Sequence, residues 1–149
     1  MLKDDPKGAR EVFSAAAKAY CPHCGVKHRT KTPDECYDER MSEKTLQDRV
    51  VGRAQRKGWT VKHVGKGIAA YDKAGNPIYV STAKSFPDLF LLHERWRRAM
   101  AIELKKEKAD YEPGQLEYLQ LLNLCGIPAV TIRPHHLRDG TVAAILGPV

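Results

Sequence analysis

Apolar residues in this chain fall into short runs bounded by charge, and their spacing switches between helical and strand-like periods. Leu46, Val50 and Ala54 recur at every fourth position after Ser42, and Gly58 closes the segment. This spacing predicts an amphipathic helix over Ser42 to Lys57 with Ser42 as its N-cap. Trp59 to Val64 alternates as W-T-V-K-H-V and predicts a strand. Ile68 to Tyr71 and Pro77 to Val80 flank Asp72 to Asn76, whose Gly75-Asn76 pair signals a turn. Pro87 to His93 and Arg98 to Lys105 are apolar runs of strand length. The charged Glu94-Arg95-Trp96-Arg97 between them predicts an antiparallel hairpin turning near Arg95.

Downstream, a helix is expected from about Pro113 to Leu124, with the proline in its first turn and Gly126 past its end. A strand over Ala129 to Arg133 and a short helix near Leu137 to Ile145 follow. The resulting order, αβββαβ with flanking pieces, is an α/β fold. Ahead of it, Pro6 to Tyr20 is alanine-rich and predicts a short helix, while Cys21 to Cys36 reads as a loop-rich section with Pro22, Gly25 and Pro33. At 149 residues the chain can bury one core. The expected division is an N-terminal extension over 1–41 and a main domain over 42–149.

Charge is unevenly spread. Residues 1–41 carry 8 Lys/Arg against 7 Asp/Glu, whereas 42–149 carry 17 against 11, so the main domain holds most of the net +7. A basic domain suits a polyanionic partner. Candidate rim residues are Arg49, Arg53, Arg56, Lys57, Lys62, Lys66, Lys84 and the Lys105 to Lys108 run. No apolar stretch is long enough to span a bilayer and the polar start lacks a signal-peptide profile, so a cytoplasmic protein without a membrane partner is expected. Trp59 reads as core, and Trp96, in its basic turn, as a contact with DNA or a partner subunit.

The chemistry concentrates in Pro87-Asp88 and Glu103-Leu104-Lys105, with fourteen residues between the two acids. Strand period puts Glu103 and Lys105 on one face and Leu104 on the other. Two carboxylates on neighbouring strands supply hard oxygen donors suited to Mg²⁺ or Mn²⁺, which bind through one or two carboxylates plus a phosphate. An adjacent lysine can orient or deprotonate an attacking water or offset charge on the phosphorane. The combination points to phosphodiester hydrolysis.

Cys21-Pro22-His23-Cys24-Gly25 forms a C-x2-C knuckle with His28 and Cys36 downstream. Cys21, Cys24, His28 and Cys36 would make a tetrahedral Cys₃His set for a structural Zn²⁺, with His23 as a competing fourth ligand. Free thiols in an exposed loop are the alternative. Cys125, at a helix end, reads as a small buried hydrophobe. His135-His136 suits a cap or surface role.

The runs S-F-P-D-L-F-L-L, W-R-R-A-M-A-I-E-L-K-K-E-K-A-D-Y-E-P-G-Q-L-E-Y-L-Q-L-L and C-G-I-P-A-V-T-I-R-P resemble the VRR-NUC branch of the PD-(D/E)XK nuclease superfamily, over about Ser42 to Leu146. The resemblance implies a restriction-endonuclease-like core, a mixed central sheet flanked by helices. It implies catalytic roles for Asp88, Glu103 and Lys105. It adds Glu43 as an acid of the metal shell, the Leu104 backbone carbonyl as a further ligand, and Gln115 as a group positioning substrate or water. A helix-dipole role is the alternative for Glu43, and a polar first-turn residue for Gln115. Ser85-Phe86 departs from the family, many of whose members have a glycine shortly before the proline. Small stand-alone members resemble Holliday-junction resolvases, which implies branched DNA as substrate and a homodimer. A restriction-like or flap-processing nuclease and a non-catalytic nucleic-acid-binding module are the alternatives.

Overall fold

The computed structural model describes residues 20–64, 67–80 and 85–148. The alanine-rich helix expected before Tyr20, most of the Gly65-Lys66-Gly67 turn and the rim candidates Lys66 and Lys84 lie outside the described residues. The chain divides into two compact units, Met1–Arg40 and Met41–Val149.

In the first unit the chain turns back at Gly25, whose φ of 71° is left-handed. The Gly25 N–H donates to the Cys21 carbonyl at 2.8 Å and the Cys21 N–H to the Val26 carbonyl at 3.0 Å. Helix α1, Pro33–Arg40, follows. The expected loop up to Cys36 is thus corrected, since Cys36 lies inside a helix. The reason is capping: Glu35 N–H donates to Thr32 Oγ1, and Thr32 N–H donates to the Glu35 carboxylate at 2.6 Å. Pro33 stands where a missing N–H costs nothing.

The second unit opens with α2, Glu43–Arg56. Ser42 is its N-cap, accepting from Thr45 N–H at 3.1 Å. Leu46, Val50 and Ala54 are fully buried, as their spacing requires, and each larger aliphatic contributes roughly 1.5–3 kcal/mol. Strands follow at β1 Thr60–His63, β2 Gly67–Tyr71, β3 Pro77–Val80, β4 Leu89–His93 and β5 Arg98–Leu104. Then come α3 Gln115–Leu124, β6 Ala129–Ile132, a 3-10 turn Pro134–Leu137 and α4 Thr141–Leu146. One mixed sheet has the order β1-β4-β5-β6, and β2-β3 form a separate antiparallel pair. Strands β1, β4 and β5 run antiparallel in turn, while β6 joins β5 in parallel.

Helices flank the four-stranded sheet. Ala101 and Ala129 pack with Leu119 and Leu122 of α3, and Phe90, Tyr111, Tyr118 and Ile127 close around them. The opposite parity, with Leu89, Leu91, Met100, Ile102 and Leu104, is buried too, and α2 packs against β1 and β5. Every β5 residue from Met100 to Leu104 is buried, which makes β5 the centre of the core.

Three local expectations are corrected. Helix α3 starts at Gln115, two residues after Pro113, because Gly114 sits at a left-handed φ of 87°. The single closing helix is split: Gly140 is left-handed, and Asp139 caps the new start by accepting from Thr141 N–H at 2.9 Å. Cys125 is exposed, because the chain leaves α3 there and Ile127 packs on the core instead. Trp96 is half-buried, stacked on His93 with ring centroids 3.8 Å apart and edge-on to Trp59 at 5.9 Å. It packs the turn against the chain's last residues, where a Cβ on Gly147 would lie 2.9 Å from its ring.

Candidate active site

The β4–β5 register pairs Leu89 with Ile102, and one further step brings Asp88 level with Glu103. Asp88 Oδ2 accepts from Leu104 N–H at 2.7 Å, so one side-chain oxygen closes the strand pair beyond its last ladder bond. On its other side the Asp88 carbonyl accepts from Val64 N–H at 2.8 Å. Glu103 and Lys105 share a face, as strand period requires, and Lys105 Nζ lies 3.2 Å from Glu103 Oε1. Glu103 is 2% exposed and Lys105 7%. The Lys105 N–H donates to the Ile132 carbonyl, extending the pairing with β6 past the end of β5.

Burial of an ion pair this deep is costly unless further groups complete it. Here the balance is negative. Burial first, then the charge of Asp88, with a smaller push from Glu43, raise the Glu103 carboxyl to about 7 against the opposing pull of Lys105. Burial also raises Asp88, opposed by the Leu104 N–H and Lys105, while Glu112 pushes it further up. Asp88 and Glu103 therefore lie beside a single buried lysine, with Glu43 adding negative charge at Glu103 and Glu112 at Asp88. Such a set of hard oxygen donors with surplus negative charge fits a divalent cation of the Mg²⁺ or Mn²⁺ kind.

Glu43 is exposed at the first position of α2 and interacts electrostatically with Glu103. Gln115 begins α3, and its side-chain oxygen accepts from Glu112 N–H at 2.8 Å, a helix-start contact. The Leu104 side chain is buried, and its N–H is the group held by Asp88. Glu112 is the acid that sequence reasoning missed. Its influence on Asp88 is long-range in sequence, and next to it in the chain the Pro113 carbonyl accepts from the Ser85 hydroxyl at 3.3 Å. Ser85 has a positive φ of 80°, the conformation that favours glycine, at the place where the family resemblance leads one to expect a glycine nearby.

Several candidate rim cations have internal duties. An Arg53 guanidinium nitrogen donates to the Leu137 carbonyl at 2.9 Å, and Lys57 Nζ to the Ala143 carbonyl at 3.2 Å and to the Gly147 carbonyl. Lys105 is buried at the acids. Arg49, Arg56, Lys62, Lys106 and Lys108 are exposed. Arg133 braces the segment leaving the site, donating to the carbonyls of Lys106 and Glu107 at 2.7 and 3.1 Å. His136 Nδ1 accepts from Arg133 N–H, a capping role, and His135 Nδ1 lies 2.5 Å from Glu107 Oε1.

The family model of the VRR-NUC domain matches residues 32–135, which span both strands of the acids, α2, α3 and β6. The chain belongs to the VRR-NUC family. VRR-NUC domains are nuclease domains of the PD-(D/E)XK superfamily, so a nuclease-type function follows for this VRR-NUC protein, with DNA as its class of substrate. Comparison with curated proteins and with solved structures gives no match. In the N-terminal unit of the VRR-NUC protein, Cys21, Cys24, His28 and Cys36 form a group able to hold a metal ion, while the His23 ring packs against Tyr37 at 5.0 Å. Among the described residues, no helix is long and apolar enough to cross a membrane.

Proposed function

We propose that the protein is a Mg²⁺- or Mn²⁺-dependent DNA endonuclease with a PD-(D/E)XK core, selective for branched DNA such as four-way junctions. The observation that carries this reading is the buried Glu103–Lys105 pair beside Asp88, in which the Glu103 carboxyl is held at about 7 by burial and by negative neighbours. The order α2, β1, β4, β5, α3, β6, with β2-β3 inserted, supports the αβββαβ core. Asp88, Glu103 and Glu43, with the Leu104 carbonyl, would hold the cation. When bound, the cation supplies positive charge to the scissile phosphate and lowers the pKa of water.

The chain's own groups carry the rest. Glu103 fixes the Lys105 ammonium by an ion pair, so Nζ is presented at one place rather than sampling many. From there the Lys105 ammonium orients the attacking water, whose proton passes to bulk solvent while the leaving oxygen takes one from bulk water, and the ammonium charge offsets the growing charge on phosphorus. The water oxygen forms the new bond to phosphorus as one P–O ester bond breaks. Gln115 would position water or substrate from the start of α3. Exposed Arg56, Lys62 and Lys106 are available to attract phosphates. Paired incisions across a junction need two centres related by symmetry. Exposed Leu116, Leu121 and Leu124 on one side of α3 offer an apolar strip to a second copy. We further place the protein in the cytoplasm.

The test incubates the purified protein with four-way, flap, single-stranded and linear DNA in Mg²⁺ or Mn²⁺, beside Lys105→Ala. Junction cleavage is expected from the unaltered protein and is abolished, with binding retained, in the variant. Cleavage of none of these by the unaltered protein overturns the nuclease reading; equal cleavage of linear duplex overturns the selectivity. Light scattering on the same samples reads the oligomer.

A further inference from the structure

We propose that Cys21, Cys24, His28 and Cys36 bind one Zn²⁺ ion, and that this ion is what holds the Tyr20–Arg40 segment in its fold, independently of the catalytic cation. The four ligand atoms all lie within 4.8 Å of one another, and Cys24 Sγ is 3.1 Å from His28 Nε2. A tetrahedral site with Zn–S of about 2.3 Å and Zn–N of about 2.0 Å has edges of roughly 3.5–3.8 Å. Small side-chain shifts, with Cys24 and His28 parting slightly and any wider pair closing, therefore fit this cluster to a single ion. The thiols are free, and the left-handed Gly25 makes the knuckle turn that presents Cys21 and Cys24 together. The capped helix α1 brings Cys36 in from the other side.

A second observation points the same way. Between Tyr20 and Arg40 the buried side chains are Cys21, Cys36 and Asp38, with no aliphatic residue among them. Val26 is 58% exposed, and Tyr20 is exposed as well. Among the described residues, this turn and eight-residue helix bury no aliphatic side chain, which leaves little apolar burial to offset the entropy of ordering them. Metal–thiolate bonds supply folding free energy in such a case. Lys31, paired with Glu39 at 2.6 Å, ties the loop to α1 but is partly exposed and contributes little. With four protein ligands the ion has no open position, so it stabilises and takes no part in hydrolysis.

Metal content decides the matter on the full chain. Protein expressed in zinc-supplemented medium and dialysed against metal-free buffer is expected to retain one zinc per chain by elemental analysis. Replacing the zinc with Co²⁺ is expected to give the intense visible bands of a tetrahedral thiolate site. Cys36→Ser and His28→Ala should lose the metal, while His28→Cys, His23→Ala and Asp88→Asn should keep it. Both tryptophans, Trp59 and Trp96, lie in the second unit, so their fluorescence verifies that each variant retains its nuclease unit. Removal of zinc should leave that fluorescence unchanged and increase proteolysis within residues 20–40. The proposal is overturned by well under one zinc in the unaltered protein, by full retention in Cys36→Ser, by loss in Asp88→Asn, or by a disulfide among Cys21, Cys24 and Cys36.

Discussion

Replacing Glu103 by glutamine keeps its shape and removes its charge, and the consequence for stability depends on pH in a calculable way. In the unfolded chain this carboxyl titrates near 4.5; in the folded protein burial and Asp88 move it to about 7. Between those values the folded state binds more protons than the unfolded one, so stability falls as pH rises through the interval and levels off above it. At roughly 1.4 kcal/mol per tenfold change in the ratio, the full loss is about 3 kcal/mol, most of which falls between pH 5 and pH 8. The substituted amide leaves Lys105 without its partner, but that deficit is present at every pH in the range and only displaces the whole curve. Urea unfolding followed by tryptophan fluorescence, with chelator present and at several pH values, reads the difference between the variant and the unaltered protein. That difference should move in favour of Glu103→Gln by about 2 to 3 kcal/mol from pH 5 to pH 8. Added Mg²⁺ at the upper end should recover the unaltered protein's loss and leave the variant where it was. A difference that is flat with pH, or that moves the other way, refutes the account of Glu103 as a buried acid short of positive charge.

Two further outcomes test the packing around the site. Asp88→Asn and Asp88→Ala both remove the charge, but asparagine keeps an oxygen for the Leu104 N–H; Asn should be the more stable by about 1 kcal/mol in denaturation midpoints, and coincident midpoints would discount the contact. Trp96→Ala removes a ring stacked on His93, so a stability loss of up to about 3 kcal/mol is expected with DNA affinity little changed; the reverse pattern in calorimetry and binding assays would restore Trp96 to a DNA-contacting role.

Periodicity made α2 and the β4–β5 hairpin legible because each rests on contacts between near neighbours. Asp88, Glu103 and Lys105 shared that advantage: one hairpin carries all three, and its register alone sets them beside each other. Glu112 is not legible because its influence on Asp88 reaches across from a segment far along the chain, which residue spacing does not show. The packing of Trp96 is not legible for a similar reason, since the surface it covers belongs to Trp59, His93 and the far C-terminal end. Cys36 is a different case. The Thr32-Pro33-Asp34-Glu35 cap was readable, but the prolines and glycine of that stretch drew the reading toward loop. The direction of β6 follows from a crossover through α3, which residue spacing alone does not fix.

The bond from Leu104 N–H to Asp88 Oδ2 gives one residue two kinds of selection pressure. A lineage that no longer needed to cut DNA would be released from keeping a charge at position 88, yet not from keeping an acceptor there. Asparagine is therefore the first substitution such a lineage could tolerate, ahead of alanine or glycine. Retention of an oxygen-bearing side chain at this position in a divergent descendant would be a memory of the strand's architecture, and only an intact Glu103–Lys105 pair beside it would speak for surviving chemistry.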